Sequence, residues 1–223
     1  MNAMLDDLKR FFVEKVFDFE TSPLLFNQYK KNDPRFDIPG GSSVRRENLF
    51  AYIDSFCESR PSYIVCGEAP GIHGCRFSGV PFTDEEKITS GTFFLQGKKT
   101  SDQAKKEREI SASVFWDALD PFRTSFFVYN CVPFLPMRKD DPLSMRTPTE
   151  SERKECKPLL DQLVSIIKPT MVIGIGRVAC KSMEEIGIDC KYVRHPARGG
   201  ATKFRKGIDA IFGARKKDKM TVL

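Results

Sequence analysis

Short apolar runs are the clearest feature of the pattern along the chain. A run of about five residues that is apolar at successive positions, rather than at alternate ones, is typical of a strand covered on both faces. Four runs predict such strands, the last of them weaker and more mixed: Tyr63–Gly67, Phe126–Val132, Met171–Gly176 and Lys191–Arg194.

Between and around these runs, apolar residues recur three or four positions apart, which predicts amphipathic helices. The predicted helices are Leu5–Phe17, Val44–Cys57, Gln103–Leu119, Ser151–Ile167 and Ala201–Phe212. Strands that alternate with helices pair in parallel through right-handed crossovers, with helices on both faces of the sheet. We therefore expect an α/β fold, a three-layer α/β/α sandwich with a central four-stranded, mainly parallel sheet.

The length of 223 residues suits one domain. We expect a single domain over 1–223, with an N-terminal helical extension over about 1–42 and a basic C-terminal tail over about 213–223. Lys98–Glu109, which is polar and rich in charge, resembles a mobile insertion.

Composition narrows the classes of protein. No apolar run approaches the roughly 20 residues that span a bilayer, and the start, MNAMLDDLKRFF, lacks the pattern of a secretory signal. We expect an intracellular protein without membrane contact, cytoplasmic if bacterial. The seven cysteines include no closely spaced pair. This favours free thiols and indicates neither a metal site nor a cofactor.

The charge distribution permits a polyanionic partner. The chain carries 36 basic and 30 acidic residues, a net charge of +6. One basic cluster surrounds a histidine-containing turn, and it comprises Arg194, Arg198, Lys203, Arg205 and Lys206.

Candidate chemistry follows the predicted strands. Ligands of open parallel sheets bind beyond the carboxyl ends of the strands. Gly67–Gly71 follows the first strand, Asn130 falls near the end of the second, and His195 follows the fourth. The only two histidines, His73 and His195, both lie in turns of this kind. That position favours a functional role for His195 and leaves His73 undecided.

Together these segments resemble the uracil-DNA glycosylase superfamily. Gly67–Gly71 reads GEAPG and is followed by Gly79–Thr83, GVPFT; this pair is similar to the superfamily's first motif. His195–Arg198, HPAR, resembles the second motif, which opens a loop that penetrates DNA. Asn130 stands where the superfamily has a base-reading asparagine, and Ile173–Arg177 resembles its glycine turn after the third strand. The matching positions run from about Tyr63 to Phe204.

The resemblance implies a monomeric, monofunctional DNA glycosylase. Such a hydrolase flips uracil, or another deaminated base, out of DNA and cleaves its N-glycosidic bond, leaving an abasic site. The implied catalytic residues are His195, Glu68 and His73. The implied base-binding residues are Gly67, Ala69, Gly71, Phe82 and Asn130, and the implied DNA-binding residues are Arg198, Gly199, Gly200, Lys203 and Arg205. Phe82 would stack on the base, and a neutral His195 would stabilise the charge on the departing base.

The sequence departs from the GQDPY branch of the superfamily at two positions. Ala69 replaces the water-activating aspartate, which leaves Glu68, His73 and, more distantly, Asp84 as candidates. Gly71 replaces the aromatic residue that excludes thymine, which implies a wider pocket that admits hypoxanthine or xanthine.

Two other interpretations stay open. Ala69 also fits a non-catalytic DNA lesion-binding module of the same fold. The segment from Gly174 to Ala179 has the glycine spacing of a Rossmann dinucleotide site, but such a site needs an acidic residue at the end of the next strand. His195 stands there instead, which weakens that interpretation.

Overall fold

The computed structural model describes residues 2–139, 141, 143–185 and 187–213. The strands within these ranges are β1 (Leu25–Phe26), β2 (Tyr63–Gly67), β3 (Phe126–Asn130), β4 (Leu135–Pro136), β5 (Met171–Ile175) and β6 (Cys190–Val193). The α-helices are α1 (Ala3–Phe11), α2 (Gly41–Asp54), α3 (Cys75–Ser78), α4 (Glu85–Ile88), α5 (Ile110–Leu119), α6 (Glu150–Ile167), α7 (Arg177–Glu185) and α8 (Ala201–Ile208). Helix α1 continues as a π-helical segment, Phe12–Phe17, and α8 as another, Asp209–Gly213.

The central sheet confirms the predicted fold. It has four strands in the spatial order β3-β2-β5-β6, and all three pairings are parallel. Every residue of β2 and β3 is buried, as expected for strands covered on both faces. The edge strand β6 is mostly exposed, which explains why its apolar signal is weak. A small antiparallel sheet of β1 and β4 was not predicted, because two-residue strands carry no readable periodicity.

The N-terminal segment belongs to the same hydrophobic core as the sheet. Its buried side chains include Leu8, Phe11, Phe12 and Phe17. The Phe12 ring packs edge-on against Tyr129 of β3, with the centroids 6.2 Å apart. Helix α1 therefore covers part of the sheet while also contacting α2 and α6.

The predicted helix Gln103–Leu119 is wrong over its first seven residues, because α5 begins at Ile110. Upstream, buried carboxylates hold the backbone in a non-helical path. The N–H of Glu107 donates to Glu85 over 3.1 Å, and the N–H of Glu109 donates to Asp84 over 2.9 Å. Glu85 also accepts the N–H groups of Thr100 and Ser101, so Lys98–Glu109 is fixed at both ends.

The other helix and strand boundaries differ from prediction by small amounts. Strand β3 ends two residues before the predicted Val132, and β6 starts one residue before Lys191. The one-turn helices α3 and α4 were not predicted. The basic tail lies outside the described residues after Gly213.

The described part of the chain carries neither a membrane-spanning helix nor a group of metal ligands. None of its helices has the length and apolar character that crossing a membrane requires. The seven cysteines are all free thiols. Residues 2–139, 141, 143–185 and 187–213 contain no group of three His, Cys, Asp or Glu side chains placed to hold a metal ion.

Candidate active site

The predicted site residues lie along one edge of the sheet, where its parallel strands end. Asn130 is the last residue of β3 and pairs in register with Gly67, the last residue of β2. His195 follows β6 at the other side of the same edge. Neighbouring strands lie about 4.8 Å apart, so the three spacings from β3 to β6 separate the two strand ends by about 14 Å. The loop after Gly67 starts between them.

Gly67 brings the asparagine and Phe82 together. A Cβ atom built on Gly67 would lie 2.5 Å from Oδ1 of Asn130 and 2.8 Å from Cζ of Phe82. Any side chain at position 67 would therefore overlap both groups. Glycine allows the amide and the ring edge to meet at the carboxyl end of β2.

Phe82 is held firmly in an uncommon conformation. Its φ of 57° lies in the left-handed region, which costs a non-glycine residue about 1–3 kcal/mol. Two contacts from α5 offset that cost. The Phe115 ring stacks on Phe82 with centroids 4.1 Å apart and planes 7° from parallel, and the Trp116 indole N–H donates to the Phe82 carbonyl over 2.8 Å.

The amide of Asn130 is available for a ligand. The residue is 4% exposed, yet no other group in the described part of the chain hydrogen-bonds its side chain. Buried amides in folded proteins nearly always have partners. An amide that offers one acceptor and a pair of donors beside an aromatic ring suits the edge of a heterocyclic base.

His195 is neutral, and its hydrogen bonding sets the tautomer. The N–H of Ala197 donates to Nδ1 of His195 over 3.1 Å, so Nδ1 accepts and the ring proton resides on Nε2. Burial, and to a smaller extent the guanidinium groups of Arg194 and Arg198, lower the pKa of His195 to about 4. At neutral pH the ring is thus an uncharged donor through Nε2.

This low pKa of His195 gives a testable pH dependence of stability. An unfolded imidazole binds its proton below about pH 6.5, whereas folded His195 does so only near pH 4. The contribution of neutral His195 to stability is complete at pH values above the pKa of the unfolded imidazole. It is lost as the pH falls toward the pKa of folded His195. From about pH 7 to pH 5, we expect urea titrations to show wild type losing about 2 kcal/mol more free energy of unfolding than His195→Gln. Equal losses in the two proteins would contradict the assigned pKa.

The three candidates for activating water occupy different environments. Burial raises the pKa of Glu68, opposed by a hydrogen bond with Thr147 and by the guanidinium groups of Arg153 and Arg198. Glu68 thus interacts electrostatically with the His195–Arg198 turn through Arg198. His73 is more exposed, with 57% of its side chain accessible, and its Nδ1 pairs with Glu107 over 2.7 Å.

Asp84 has a structural position. Its carboxylate caps α4 by accepting the N–H of Lys87 over 2.7 Å and accepts the N–H of Glu109 over 2.9 Å. Asp84 is 1% exposed, and both oxygens are occupied by backbone donors. Its role is to hold α4 and the start of α5.

Glu109 is a site residue that the sequence did not indicate. A Cβ atom built on Gly71 or on Gly74 would overlap its carboxyl group. The space in front of Gly71, predicted to be open, is therefore filled by a side chain from outside the motif. Glu109 lies within the predicted helix Gln103–Leu119 and ends the predicted insertion Lys98–Glu109, and only the non-helical path before Ile110 turns it toward the loop.

A buried ionic network anchors the loop that follows Gly67. Arg76 of α3 donates from both terminal nitrogens to Asp37, over 3.0 Å each. Arg45 of α2 reaches the same carboxylate over 3.2 Å. The side chains of all three residues are at most 1% exposed. The network ties the end of the Gly71–Gly74 turn to α2.

The turn that contains His195 has an exposed tip, and helix α8 follows it. Arg198 and Gly199 are exposed and have positive φ values of 52° and 72°. A Cβ atom on Gly200 would overlap the carbonyl of His195, so this turn requires glycine. In α8, Lys203 and Arg205 are exposed. The tip and α8 thus present exposed cations directly after the turn that carries His195.

Comparison with known proteins agrees with this geometry. The profile of the Uracil DNA glycosylase superfamily matches residues 54–216, which include both motifs and all four strands of the central sheet. Among solved structures, the wild-type SMUG2 crystal structure from Pedobacter heparinus is similar, with a TM-score of 0.68. The match covers 97% of this chain and 98% of that one at 14% sequence identity, which shows a shared fold. Because the family match spans most of the chain, the protein belongs to the uracil DNA glycosylase superfamily, whose members are DNA glycosylases.

Proposed function

We propose that this protein is a monofunctional DNA glycosylase that excises uracil by hydrolysing the bond between the base and C1′ of the sugar. The observation that carries the proposal is that the His195 ring is neutral and held in one tautomer. Its Nδ1 accepts the N–H of Ala197, and its low pKa keeps the ring neutral, so Nε2 presents one N–H at the strand edge. A neutral donor of this kind suits an oxygen on which negative charge develops.

Base recognition follows from Asn130 and Phe82. The Asn130 amide can donate to O4 of uracil and accept from N3–H, a pairing that reads two adjacent atoms of one edge. The Phe82 ring, backed by Phe115, supplies a flat surface for the flipped base. Both contacts require the base to leave the duplex, because neither group can reach a stacked base.

Bond cleavage moves charge from the sugar to the base. As the C1′–N1 bond breaks, its electron pair passes to the ring and accumulates partly on O2. We assign His195 to donate from Nε2 to O2, a bond that strengthens as charge develops and so lowers the barrier. Water adds to C1′ and loses its proton, completing the hydrolysis.

We propose that Glu68, rather than His73, accepts the proton that this water loses. The burial that raises the pKa of Glu68 makes its carboxylate a stronger proton acceptor. The Arg198 guanidinium, in the turn that carries His195, interacts electrostatically with this carboxylate. His73 is paired with Glu107 and exposed.

The basic tip and α8 are proposed to hold DNA through phosphate contacts, which predicts a measurable salt dependence. Each phosphate contact contributes about one unit to the slope of log K against log salt concentration. We expect Lys203→Ala to reduce the magnitude of that slope by about one unit. Arg60→Ala is the matched control, because exposed Arg60 precedes β2 at the opposite edge of the sheet. Equal slopes for wild type and Lys203→Ala would show that Lys203 makes no contact with a DNA phosphate.

Base release from matched oligonucleotides tests the proposed function. Duplexes carrying a single uracil, hypoxanthine or xanthine are incubated with the protein, and the free base is quantified. We expect uracil to be released fastest, because the carboxyl group of Glu109 limits the room in front of Gly71. Purine release at the uracil rate would contradict the uracil assignment.

The second candidate function is a DNA lesion-binding module without catalysis. Ala69 favours it, since no ionisable group stands at that position of the loop. Tight binding of all three modified duplexes without release of any base would establish this alternative.

A further inference from the structure

We propose that Glu109 is a specificity-determining residue whose carboxyl group closes the base site beside C5 of uracil and excludes thymine. The inference rests on the proposed uracil-excising function. It assigns selectivity to a side chain that belongs to neither motif and comes from the residue just before α5.

The position of the Glu109 carboxyl group is set from several sides. It lies so close to Gly71 and Gly74 that a Cβ atom on either residue would overlap it in its present position. The Ser111 hydroxyl donates to the carboxyl group, and the Glu109 backbone N–H donates to Asp84. Such a group is held in place and cannot swing aside without losing these contacts.

The same helix supports the surface on which the base is proposed to stack. Helix α5 carries Phe115, which backs the ring of Phe82, and Trp116, which holds the Phe82 carbonyl. Both rings also pack against Phe126 of β3, with centroids 6.2 Å and 5.9 Å apart. Helix α5 therefore lies over β3, the strand that ends in the base-reading Asn130, and Glu109 directly precedes this helix.

The orientation of uracil then places C5 toward Glu109. Asn130 on β3 reads N3–H and O4, and His195 after β6 reaches O2. In the uracil ring, C5 lies directly across from C2, so the C5 edge points away from His195 and toward the flank covered by α5. Uracil presents a small C–H at that edge, whereas thymine presents a methyl group.

A methyl group at this edge has two unfavourable consequences. It would need the space that the carboxyl group fills in front of Gly71. It would also place apolar surface against a partly buried polar group, which must then lose hydrogen bonds without replacement. Thymine is thus rejected without an aromatic side chain at position 71.

Parallel release of uracil and thymine tests the role of Glu109. Single-turnover release is measured from otherwise identical duplexes carrying a G·U or a G·T mismatch, for wild type, Glu109→Ala, Glu109→Asp and Glu109→Gln. One methyl group in a pocket changes selectivity by about 10- to 200-fold. We therefore expect Glu109→Ala to raise the ratio of thymine to uracil release by at least about 10-fold. Glu109→Asp, which withdraws the carboxyl group by one methylene, should give a smaller rise, and Glu109→Gln, of nearly equal volume, should stay close to wild type.

The ratio is taken within one preparation, so a variant that folds incompletely lowers both rates and leaves the ratio unaffected. Glu86→Ala is the matched control, because Glu86 is an exposed glutamate whose carboxylate faces Arg108 over 3.6 Å. An unchanged ratio in both Glu109→Ala and Glu109→Asp, with wild type releasing uracil, would overturn the inference and leave the proposed function intact. Failure of wild type to release uracil would overturn both this inference and the proposed function.

Discussion

Replacing His195 with alanine lowers the single-turnover rate of uracil release by about 100- to 1,000-fold in our account, the usual effect of removing one donor to a developing oxyanion. The physical reason is that the Nε2–H of His195 interacts more strongly with the departing base than with the bound nucleotide. The loss therefore falls on the rate at saturating DNA, while the affinity for DNA changes little.

Two measurements separate this role from a structural one. The affinity for a uracil-containing duplex is compared between wild type and His195→Ala, and both proteins are titrated with urea at neutral pH. Unchanged affinity and a folded variant, together with the slow rate, assign the effect to the chemical step. A rate within about 10-fold of wild type would show that His195 is not the main stabiliser of the leaving base.

Replacing Asp37 with alanine should destabilise the fold by about 3–5 kcal/mol, the cost of leaving a buried ion without its partner. Arg45 and Arg76 would both lose this carboxylate, and neither guanidinium has access to water. Burial already lowers the pKa of Arg45 to about 10 while Asp37 is present, which indicates how strongly this environment disfavours an uncompensated charge. The expected result is a large fall in the urea midpoint.

Asp54→Ala provides the matched control for Asp37→Ala. Asp54 pairs with Lys9 over 2.6 Å, but 55% of the Asp54 side chain is exposed. We expect that pair to contribute about 1 kcal/mol or less. If both substitutions cost about the same, the buried network would not be the anchor of the Gly71–Gly74 turn.

The sheet could be predicted from the sequence because its strands are covered on both faces. Continuous apolar runs identified β2, β3 and β5, and parallel topology followed from the helices between them. That topology is enough to bring Asn130, the Gly67 turn and His195 to one edge. The family was also predicted correctly, since its motifs fall in the turns that the topology brings together.

The remaining features depend on contacts between residues far apart in the chain. The start of α5 is set by Asp84 and Glu85, which hold the backbone upstream of Ile110. Local periodicity does not indicate where α5 begins. The sequence therefore predicted that Glu109 lies in a helix and that the space in front of Gly71 is open. The network of Asp37, Arg45 and Arg76 was missed for the same reason, because each residue alone has the pattern of a surface charge.

Product analysis of wild-type protein with a duplex that carries one uracil distinguishes base excision from DNA binding alone. Free base and residual strand are quantified together by mass spectrometry, with a cytosine-containing duplex of the same sequence as the blank. We expect equal amounts of free uracil and an unbroken abasic strand, and neither product from the blank. A uracil-containing strand that is bound but returned intact would contradict it and leave a DNA-binding module of the same fold.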